Sequence, residues 1–194
     1  MRKRVIDADG FEEKFRRDID PWNYAHSAFE AYKRGVLLRA IGPHRTGRGL
    51  ELACAIGETT RFLAPRCLRL LALDSSATAL REARRRIGPL PRVRLERMVL
   101  PDMPRGRFDL IVVSEILYYL KPNDLRTLLA RLEQATAPGG RIVLLHHLRN
   151  FDDAAILPRL AQQHALHALC RRMTPVFRHQ DAQFQAVALV RRAR

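Results

Sequence analysis

A run of small residues, Ala53-Cys54-Ala55-Ile56-Gly57, follows an apolar segment and leads into a segment with helical periodicity. Small side chains at a strand-to-helix turn let the backbone approach a ligand, and the helix N-terminus presents unpaired N–H groups to it. Asp74 closes the next predicted strand. An acidic residue at that place in a nucleotide-binding sheet accepts hydrogen bonds from ribose hydroxyls. Together the two features predict a site for a nucleoside-containing cofactor.

The composition of this turn favours S-adenosylmethionine over a dinucleotide. A pyrophosphate needs a G-x-G-x-x-G cradle in front of a helix N-terminus, whereas this turn has the single glycine Gly57. The turn is also preceded by Glu51. A carboxylate suits the cationic methionine end of S-adenosylmethionine better than it suits phosphate.

The elements that must position these residues alternate along the chain, as in a parallel sheet covered by helices on both faces. Strands are predicted at 49–53, 68–74, 93–98, 108–114 and 141–147, and helices at 57–66, 76–87, 123–137 and 153–171. Two final strands, 174–179 and 184–191, are separated only by a short polar turn, so they must pair antiparallel. The predicted fold is α/β and Rossmann-like, with a seven-stranded, mostly parallel sheet that ends in an antiparallel hairpin.

One further helix is predicted near the N-terminus, beginning at Pro21 after the capping residue Asp20 and ending near 42–43. Its apolar face would carry Tyr24, Ala28, Tyr32, Val36 and Ala40. Later in the chain, Pro138-Gly139-Gly140 is predicted to close the helix over 123–137. We expect one domain over 1–194, with a helical cap at 1–45 and a Rossmann-like core at 46–194.

Composition limits the setting and the partners. The 194 residues include three cysteines without a C-x-x-C pair, which favours a reducing, cytoplasmic setting and neither a disulfide framework nor a metal site. No apolar run reaches the roughly 18 residues of a membrane-spanning helix. The net charge of +15 leaves a nucleic-acid partner as an alternative. However, the arginine clusters at 81–97 and 191–194 lack the interleaved aromatic residues that stack on single-stranded bases.

Over nearly its whole length the sequence resembles the NodS-like family of class I S-adenosylmethionine-dependent methyltransferases, typified by nodulation N-methyltransferases. The family's D-P-W segment is matched by 20–22, its Tyr/Lys-bearing helix by 32–33, and its E-x-G-C-S-x-G turn by 51–57. Its D-x-S, F-D-L-x-x-x-S-E-x-x-Y-Y-L and P-G-G motifs are matched by 74–76, 108–120 and 138–140, and a His ends the following strand at 147. The S-E-x-x-Y-Y-L run is the most specific of these motifs.

The resemblance implies a class I methyltransferase fold and a set of cofactor contacts. The implied contacts are Trp22, Tyr32, Glu51, Ala53, Cys54, Gly57, Asp74, Ser75, Met98, Val99 and Ser114. Two positions depart from the family pattern, since Ala53 replaces a glycine and Val99 stands where many relatives have an Asp. The acceptor that the family suggests is an amine on an amino sugar or oligosaccharide.

Methyl transfer from a sulfonium needs alignment of the acceptor and no nucleophilic side chain. A carboxylate or imidazole near the transfer point can orient an amine or take its proton. We therefore expect Glu115 to serve this role with His147 as its partner, although Glu115 at a loop start can also be simply solvated. His146 and His147 face opposite sides of a strand, so one of them is structural. Tyr118 and Tyr119 either line the acceptor pocket or belong to the core.

Two alternatives stay open at this stage. One keeps the fold and changes the substrate to RNA or DNA, although Ser114-Glu115-Ile116-Leu117 lacks the N-P-P-Y pattern of enzymes that methylate base amino groups. The other is a non-catalytic binding module whose cofactor site has decayed at Ala53 and Val99.

Overall fold

Seven strands form one sheet in the computed structural model, which describes residues 5–192. The strands are β1 (Thr46–Leu52), β2 (Cys67–Asp74), β3 (Val93–Arg97), β4 (Phe108–Ser114), β5 (Thr136–His147), β6 (Met173–Gln180) and β7 (Phe184–Arg191). The helices are α1 (Ala8–Arg17), α2 (Ala28–Ile41), α3 (Thr60–Leu63), α4 (Ala77–Ile87), α5 (Pro122–Ala135) and α6 (Pro158–Leu169). Residues 1–4 and 193–194, which the domain prediction and the second arginine cluster include, lie outside the described residues.

The strand order is β3-β2-β1-β4-β5-β7-β6. The first five strands of this order run parallel, and β7 pairs antiparallel with both β5 and β6. The predicted fold class is therefore confirmed, including the C-terminal hairpin, which joins the sheet through its second strand.

The point where the strand order reverses lies at β1, which pairs with β2 on one side and with β4 on the other. In open α/β sheets, ligands bind beyond the carboxyl ends of the strands at such a point. The carboxyl ends of β1, β2 and β4 are Leu52, Asp74 and Ser114. The predicted cofactor turn and the predicted acidic residue thus meet at one edge of the sheet.

The centre of the sheet is buried on both faces, as the run of four buried apolar residues from Leu110 to Val113 in β4 shows. Ile111 and Val113 of β4 belong to one core with Leu128 of α5, whereas Val112 belongs to a second core with Val36 of α2. Consecutive residues of a strand therefore serve opposite cores. None of the helices in the described part of the chain is long and apolar enough to cross a membrane.

The N-terminal region differs from the prediction. The helix expected from Pro21 begins only at Ala28, because Asp20 caps a turn instead and accepts hydrogen bonds from the N–H groups of Tyr24 (2.7 Å) and Ala25 (2.9 Å). An additional helix, α1, precedes it, and the side chain of Asp7 caps α1 by accepting from Gly10 N–H at 2.9 Å.

Helix α1 is fastened to the start of α4 by the carboxylate of Glu12. Its Oε2 accepts from Ser76 Oγ (2.7 Å) and from Thr78 N–H (3.1 Å), and its Oε1 accepts from Thr78 Oγ1 (2.7 Å). These hydrogen bonds, the first of them from Ser76, lower the pKa of Glu12 to about 2. Ser76 is also the N-cap of α4.

Contrary to the prediction, the Pro138-Gly139-Gly140 segment does not close a helix. Helix α5 ends at Ala135, and the segment forms an irregularity inside β5, where the pairing with β4 shifts between Phe108 and Leu110. Gly139 has a φ of 72° there, which glycine adopts readily. Two other helices are shorter than predicted: α3 is followed by a 3-10 turn at Ala64–Arg66, and α6 begins at Pro158.

Candidate active site

A cavity of about 340 Å³ opens at the carboxyl edge of the sheet. Its wall includes nine of the predicted site residues: Trp22, Ala53, Asp74, Ser75, Met98, Val99, Ser114, Glu115 and Tyr119. Phe11 and Phe15 of α1 also line it, so α1 covers part of the opening.

Asp74 joins the two turns at this edge. Its Oδ2 accepts a hydrogen bond from Ala55 N–H at 2.8 Å, and its Oδ1 accepts from Ser76 N–H at 2.8 Å. Burial raises the pKa of the carboxyl group, while these backbone N–H groups oppose the rise. A carboxylate oxygen can accept more than one hydrogen bond. Asp74 therefore fixes the turn after β1 and can still accept from a ligand hydroxyl.

The turn after β1 has two non-glycine residues in the left-handed region, Ala53 with φ 54° and Ala55 with φ 48°. An L-residue in that region costs about 1–2 kcal/mol. This explains physically why the family pattern has a glycine at the position of Ala53. Gly57, which was predicted to contact the cofactor, belongs to the same turn but lines neither of the two cavities described here. A Cβ there would meet Ala83 and Ile87 at 3.0–3.3 Å, so this glycine allows close packing against α4.

A second cavity of about 50 Å³ shares five residues with the first: Tyr24, Ala53, Ala55, Ser114 and Glu115. It is also lined by Glu51 and Cys54, two further predicted residues. Glu30 and Lys33 line it as well, and neither was predicted as a site residue, although Lys33 lies in the matched Tyr/Lys motif. The signal for Lys33 was available, since it is a charged residue among the apolar positions of α2.

Glu51 is almost completely buried, with 3% of its surface exposed, and its Oε2 accepts from Thr60 Oγ1 at 2.6 Å. Burial raises the pKa of this carboxyl group to about 8, and the nearby charge of Asp74 acts in the same direction. Burying a carboxylate without a cationic partner is unfavourable. Glu51 therefore has the properties of a group that would ionise beside a cationic ligand.

Glu115 lies in the wall between the two cavities and has φ 55°. Its Oε2 accepts from Tyr118 OH at 2.6 Å and from His147 N–H at 2.9 Å, and its Oε1 lies 2.5 Å from Lys33 Nζ. Burial is the largest single effect and raises the pKa of Glu115, but the combined effect of Lys33, His146 and the hydrogen bond from Tyr118 exceeds it, so the pKa of Glu115 is lowered. Glu115 is a fixed, charged carboxylate and not a solvated residue at a loop start.

The two adjacent histidines differ as expected from their positions on a strand. His146 is fully buried, its Nδ1 lies 2.8 Å from Gln162 Oε1, and burial lowers its pKa to about 4. His147 holds Glu115 through its backbone N–H, while its imidazole packs near Phe151 with 6.4 Å between ring centroids. The His147 side chain lines neither of the two cavities.

The predicted aromatic residues separate into two groups. Trp22 and Tyr119 line the larger cavity, where Phe11 lies 6.2 Å from the Trp22 ring and 4.9 Å from the Tyr119 ring. Tyr118 is buried in the core and acts through its hydroxyl on Glu115. Tyr32 is not brought to the site; its hydroxyl lies 3.2 Å from His179 Nε2 at the C-terminal hairpin.

Three consecutive apolar residues, Met98, Val99 and Leu100, also line the larger cavity. Val99 is 46% exposed, so its apolar side chain offers a surface on which a flat ligand could lie. Among the described residues, no group of three or more His, Cys, Asp or Glu side chains could hold a metal ion.

Comparison with known proteins supports this geometry. The model of the Nodulation protein S (NodS) family matches residues 8–149. Nodulation protein S from Rhizobium tropici is 34% identical over 130 residues, covering 64% of this chain and 53% of that protein. The homologue from Bradyrhizobium diazoefficiens is 38% identical over 109 residues, covering 53% and 50%. The chain thus spans about half the length of the curated relatives it matches.

A solved structure agrees over a larger share. The crystal structure of N-methyltransferase NodS from Bradyrhizobium japonicum WM9, in complex with S-adenosyl-L-homocysteine, superposes with a TM-score of 0.79 and 26% identity. The match covers 93% of this chain and 97% of that chain. The sheet order and the cavity at its switch point are those of class I S-adenosylmethionine-dependent methyltransferases. Within that class, the chain belongs to the Nodulation protein S (NodS) family.

Proposed function

We propose that this chain is an S-adenosylmethionine-dependent N-methyltransferase whose acceptor is an amine on an amino sugar or oligosaccharide. The observation that carries the proposal is the shared wall of two cavities, one large enough for part of a nucleoside and the other small and rich in carboxylates. The residues common to both cavities form that wall: Tyr24, Ala53, Ala55, Ser114 and Glu115. A methyl group passing between the two ligands would cross at these residues.

The chemistry of the larger cavity fits the cofactor. In this proposal Asp74 accepts from the ribose hydroxyls, and Met98 and Val99 contact the adenine. Glu51 lines the smaller cavity beside the shared wall, and in this proposal the methionine portion reaches it there, so that its amino group supplies the positive charge that this buried carboxyl group lacks. When bound, the cofactor supplies an electrophilic methyl carbon attached to a sulfonium.

The smaller cavity fits a cationic acceptor. Glu30 and Glu115 line it together with their shared partner Lys33, and the pKa of Glu115 is lowered. Glu51 is protonated at neutral pH because burial raises its pKa to about 8, and Glu58 is paired with Arg61 and Arg86. An amine, which is protonated at neutral pH, is attracted by the charge of Glu115 more strongly than a neutral hydroxyl is.

Glu115 is proposed to orient the acceptor amine. Its Oε2 accepts hydrogen bonds from Tyr118 and His147, and its Oε1 is ion-paired with Lys33. An acceptor that arrives as an ammonium must first give up a proton to solvent, because only the neutral nitrogen has the lone pair that attacks the methyl carbon. As the N–C bond forms and the S–C bond breaks, S-adenosylhomocysteine is the leaving group, and the fixed negative charge of Glu115 stabilises the positive charge that develops on the nitrogen. The contribution of His147 in this proposal is its backbone N–H.

The test is a methyl-transfer assay with matched acceptors. The chain is incubated with S-adenosylmethionine and either a glucosamine oligosaccharide or its fully N-acetylated counterpart, and the products are analysed by mass spectrometry. We expect a mass gain of one methylene unit on the free-amine oligosaccharide only. Methylation of both sugars would indicate O-methylation, and methylation of neither would remove this acceptor class.

A calorimetric titration with S-adenosylhomocysteine separates the enzyme from a non-catalytic module. Absence of binding up to millimolar ligand would favour the module. An oligonucleotide added at physiological salt serves as the control for a nucleic-acid substrate, because nonspecific phosphate contacts weaken strongly with salt. Several arginines of the 81–97 cluster are already paired within the chain, Arg85 and Arg86 with Glu82 and Arg94 with Glu96.

A further inference from the structure

Lys33 is a buried cation in the wall of the smaller cavity. It lies on α2 with 6% of its surface exposed, beside the core residues Val36 and Leu37. Its Nζ lies 3.0 Å from Glu30 Oε1 and 2.5 Å from Glu115 Oε1. Burying an ammonium group costs several kcal/mol even when it is paired, and an apolar side chain of similar volume would often be more stabilising. This position therefore calls for a reason other than stability.

The reason is found at Glu115. Tyr118 OH and His147 N–H both donate to Oε2 of Glu115. The other oxygen, Oε1, is paired with the Lys33 ammonium. We propose that Lys33 is a positioning residue of the active site, whose ammonium holds the Glu115 carboxylate in one orientation and in its charged form at the wall between the two cavities. The value of that charge for an acceptor amine rests on the proposed function, but the pairing itself does not.

Several other groups surround Glu115, from every element packed against it, and they must be counted. They are Tyr24 before α2, Glu30 and Lys33 on α2, Tyr118 and Tyr119 after β4, and His146 and His147 on β5. Burial keeps both histidines neutral at neutral pH, since it lowers the pKa of each. The three tyrosines are also neutral, because burial raises their pKa values. Arg34 on α2 is a second cation in the lining of the smaller cavity, but the cation paired with Glu115 is Lys33. Glu30 is a second negative charge beside Lys33.

The two partners shift in the directions that this pairing requires. Burial works against the charge of Lys33, yet Glu115 and Glu30 raise its pKa. The pKa of Glu115 is lowered in turn: burial raises it, and Lys33 is the largest of the contributions that together outweigh burial, the others being His146 and the hydrogen bond from Tyr118. Without Lys33, Glu115 would be a buried carboxylate beside the negative charge of Glu30, and it would take up a proton.

The direct test is a titration of Glu115 by NMR, with glutamate labelled at the side-chain carboxyl carbon. The Glu115 signal is assigned by its absence from the spectrum of E115Q. We expect the midpoint in K33M to lie at least about one pH unit above that of the unsubstituted chain, and K33R to restore it. An unchanged midpoint in K33M would overturn the proposal. This measurement needs no acceptor, so its outcome is independent of the proposed acceptor.

A kinetic double-variant cycle gives a second readout, using whichever acceptor the methyl-transfer assay identifies. If Lys33 acts through Glu115, K33M as a single substitution lowers kcat and shifts the acid limb of the pH profile of kcat to higher pH. It then has little further effect on kcat in the E115Q background. Equal fold-losses from K33M in both backgrounds would show that Lys33 does not act through Glu115.

Loss of folding in K33M is also informative. The double variant K33M/E115Q removes the unpaired carboxylate, so it should fold if the single variant fails because of an uncompensated buried charge. Failure of both variants would assign Lys33 a packing role only and would overturn the proposal.

Discussion

The carboxylate of Asp74 accepts a hydrogen bond from the backbone N–H of Ala55 at 2.8 Å, so the end of β2 is tied directly to the turn after β1. The same carboxylate lines the larger cavity. One side chain therefore shapes the turn and is available to a ligand. Substitutions at this position should affect both stability and ligand affinity.

We expect D74A to raise the Kd for S-adenosylhomocysteine by about tenfold to a hundredfold, as the loss of one or two hydrogen bonds to a charged acceptor predicts. Calorimetry measures the affinity, and circular dichroism checks that the fold is retained. D109N is a matched control, because Asp109 also accepts from a backbone N–H, that of Arg48 at 2.7 Å, outside the two cavities. Unchanged affinity in D74A would remove Asp74 from the ligand site.

The left-handed φ of Ala53 predicts that A53G is no less stable than the unsubstituted chain, and more stable by up to about 1 kcal/mol. Relief of backbone strain favours the variant, while the greater freedom of glycine in the unfolded chain opposes it. A72G is the contrasting variant, because Ala72 is a fully buried residue of β2. We expect A72G to be less stable than the unsubstituted chain. Urea unfolding of both variants checks the sign. A destabilised A53G would show that the Ala53 methyl group contributes packing that outweighs the strain.

Burial of Glu51 predicts that the folded chain loses stability as the pH rises. The unfolded chain loses the Glu51 proton near pH 4.5, whereas the folded chain keeps it to about pH 8. The folded state binds the extra proton in this window, so stability falls as pH rises through it and then levels off. E51Q cannot ionise, so its melting temperature relative to the unsubstituted chain should increase between about pH 5 and about pH 8.5.

A matched substitution with the opposite expectation is E82Q. Arg85 lowers the pKa of Glu82 to about 2, first through a hydrogen bond, so ionised Glu82 stabilises the folded chain at neutral pH. E82Q should therefore lower the melting temperature where E51Q raises it. Parallel behaviour of the two variants would contradict the assignment of Glu51 as a buried, protonated group.

E115Q should slow turnover by at least about tenfold while the affinity for S-adenosylhomocysteine changes little, because a misplaced acceptor costs rate more than cofactor binding. Y118F is the milder control: it keeps the carboxylate and removes only the hydrogen bond from Tyr118 OH. Its kcat should fall between those of E115Q and the unsubstituted chain. An unaltered rate in E115Q would remove Glu115 from the reaction.

The elements that sequence reasoning placed best are those whose pattern is local. The apolar run of β4 has its predicted bounds of Phe108 and Ser114, because it is buried on both faces and bounded by polar residues. Helix α1 was missed because it is only 10 residues long and buries the single residue Phe15, which leaves little apolar periodicity to detect. The Pro-Gly-Gly signal was real, but it marks an irregular strand, and only the pairing with β4 distinguishes this from a helix end.

The candidate site shows the same limit. The positions of Asp74 and Glu115 at strand ends follow from the strand pattern, so sequence alone could bring them to one edge. The ion pair between Lys33 and Glu115 could not be predicted in this way, because it joins α2 to the end of β4 across the sheet edge and depends on how α2 packs. Tyr32 shows the opposite error, because it was predicted to contact the cofactor but faces the C-terminal hairpin. Lys33, the next residue on α2, lines the smaller cavity instead.

The hydrogen bonds of Ser76 affect how quickly a bound ligand could leave the larger cavity. Its N–H donates to Asp74 at 2.8 Å, in the cavity wall, and its hydroxyl donates to Glu12 at 2.7 Å, on the helix that covers part of the opening. Swinging that helix aside would break the bonds of Glu12 to both Ser76 and Thr78. The residence time of a bound nucleoside is thereby linked to a glutamate that does not line the space the nucleoside would fill.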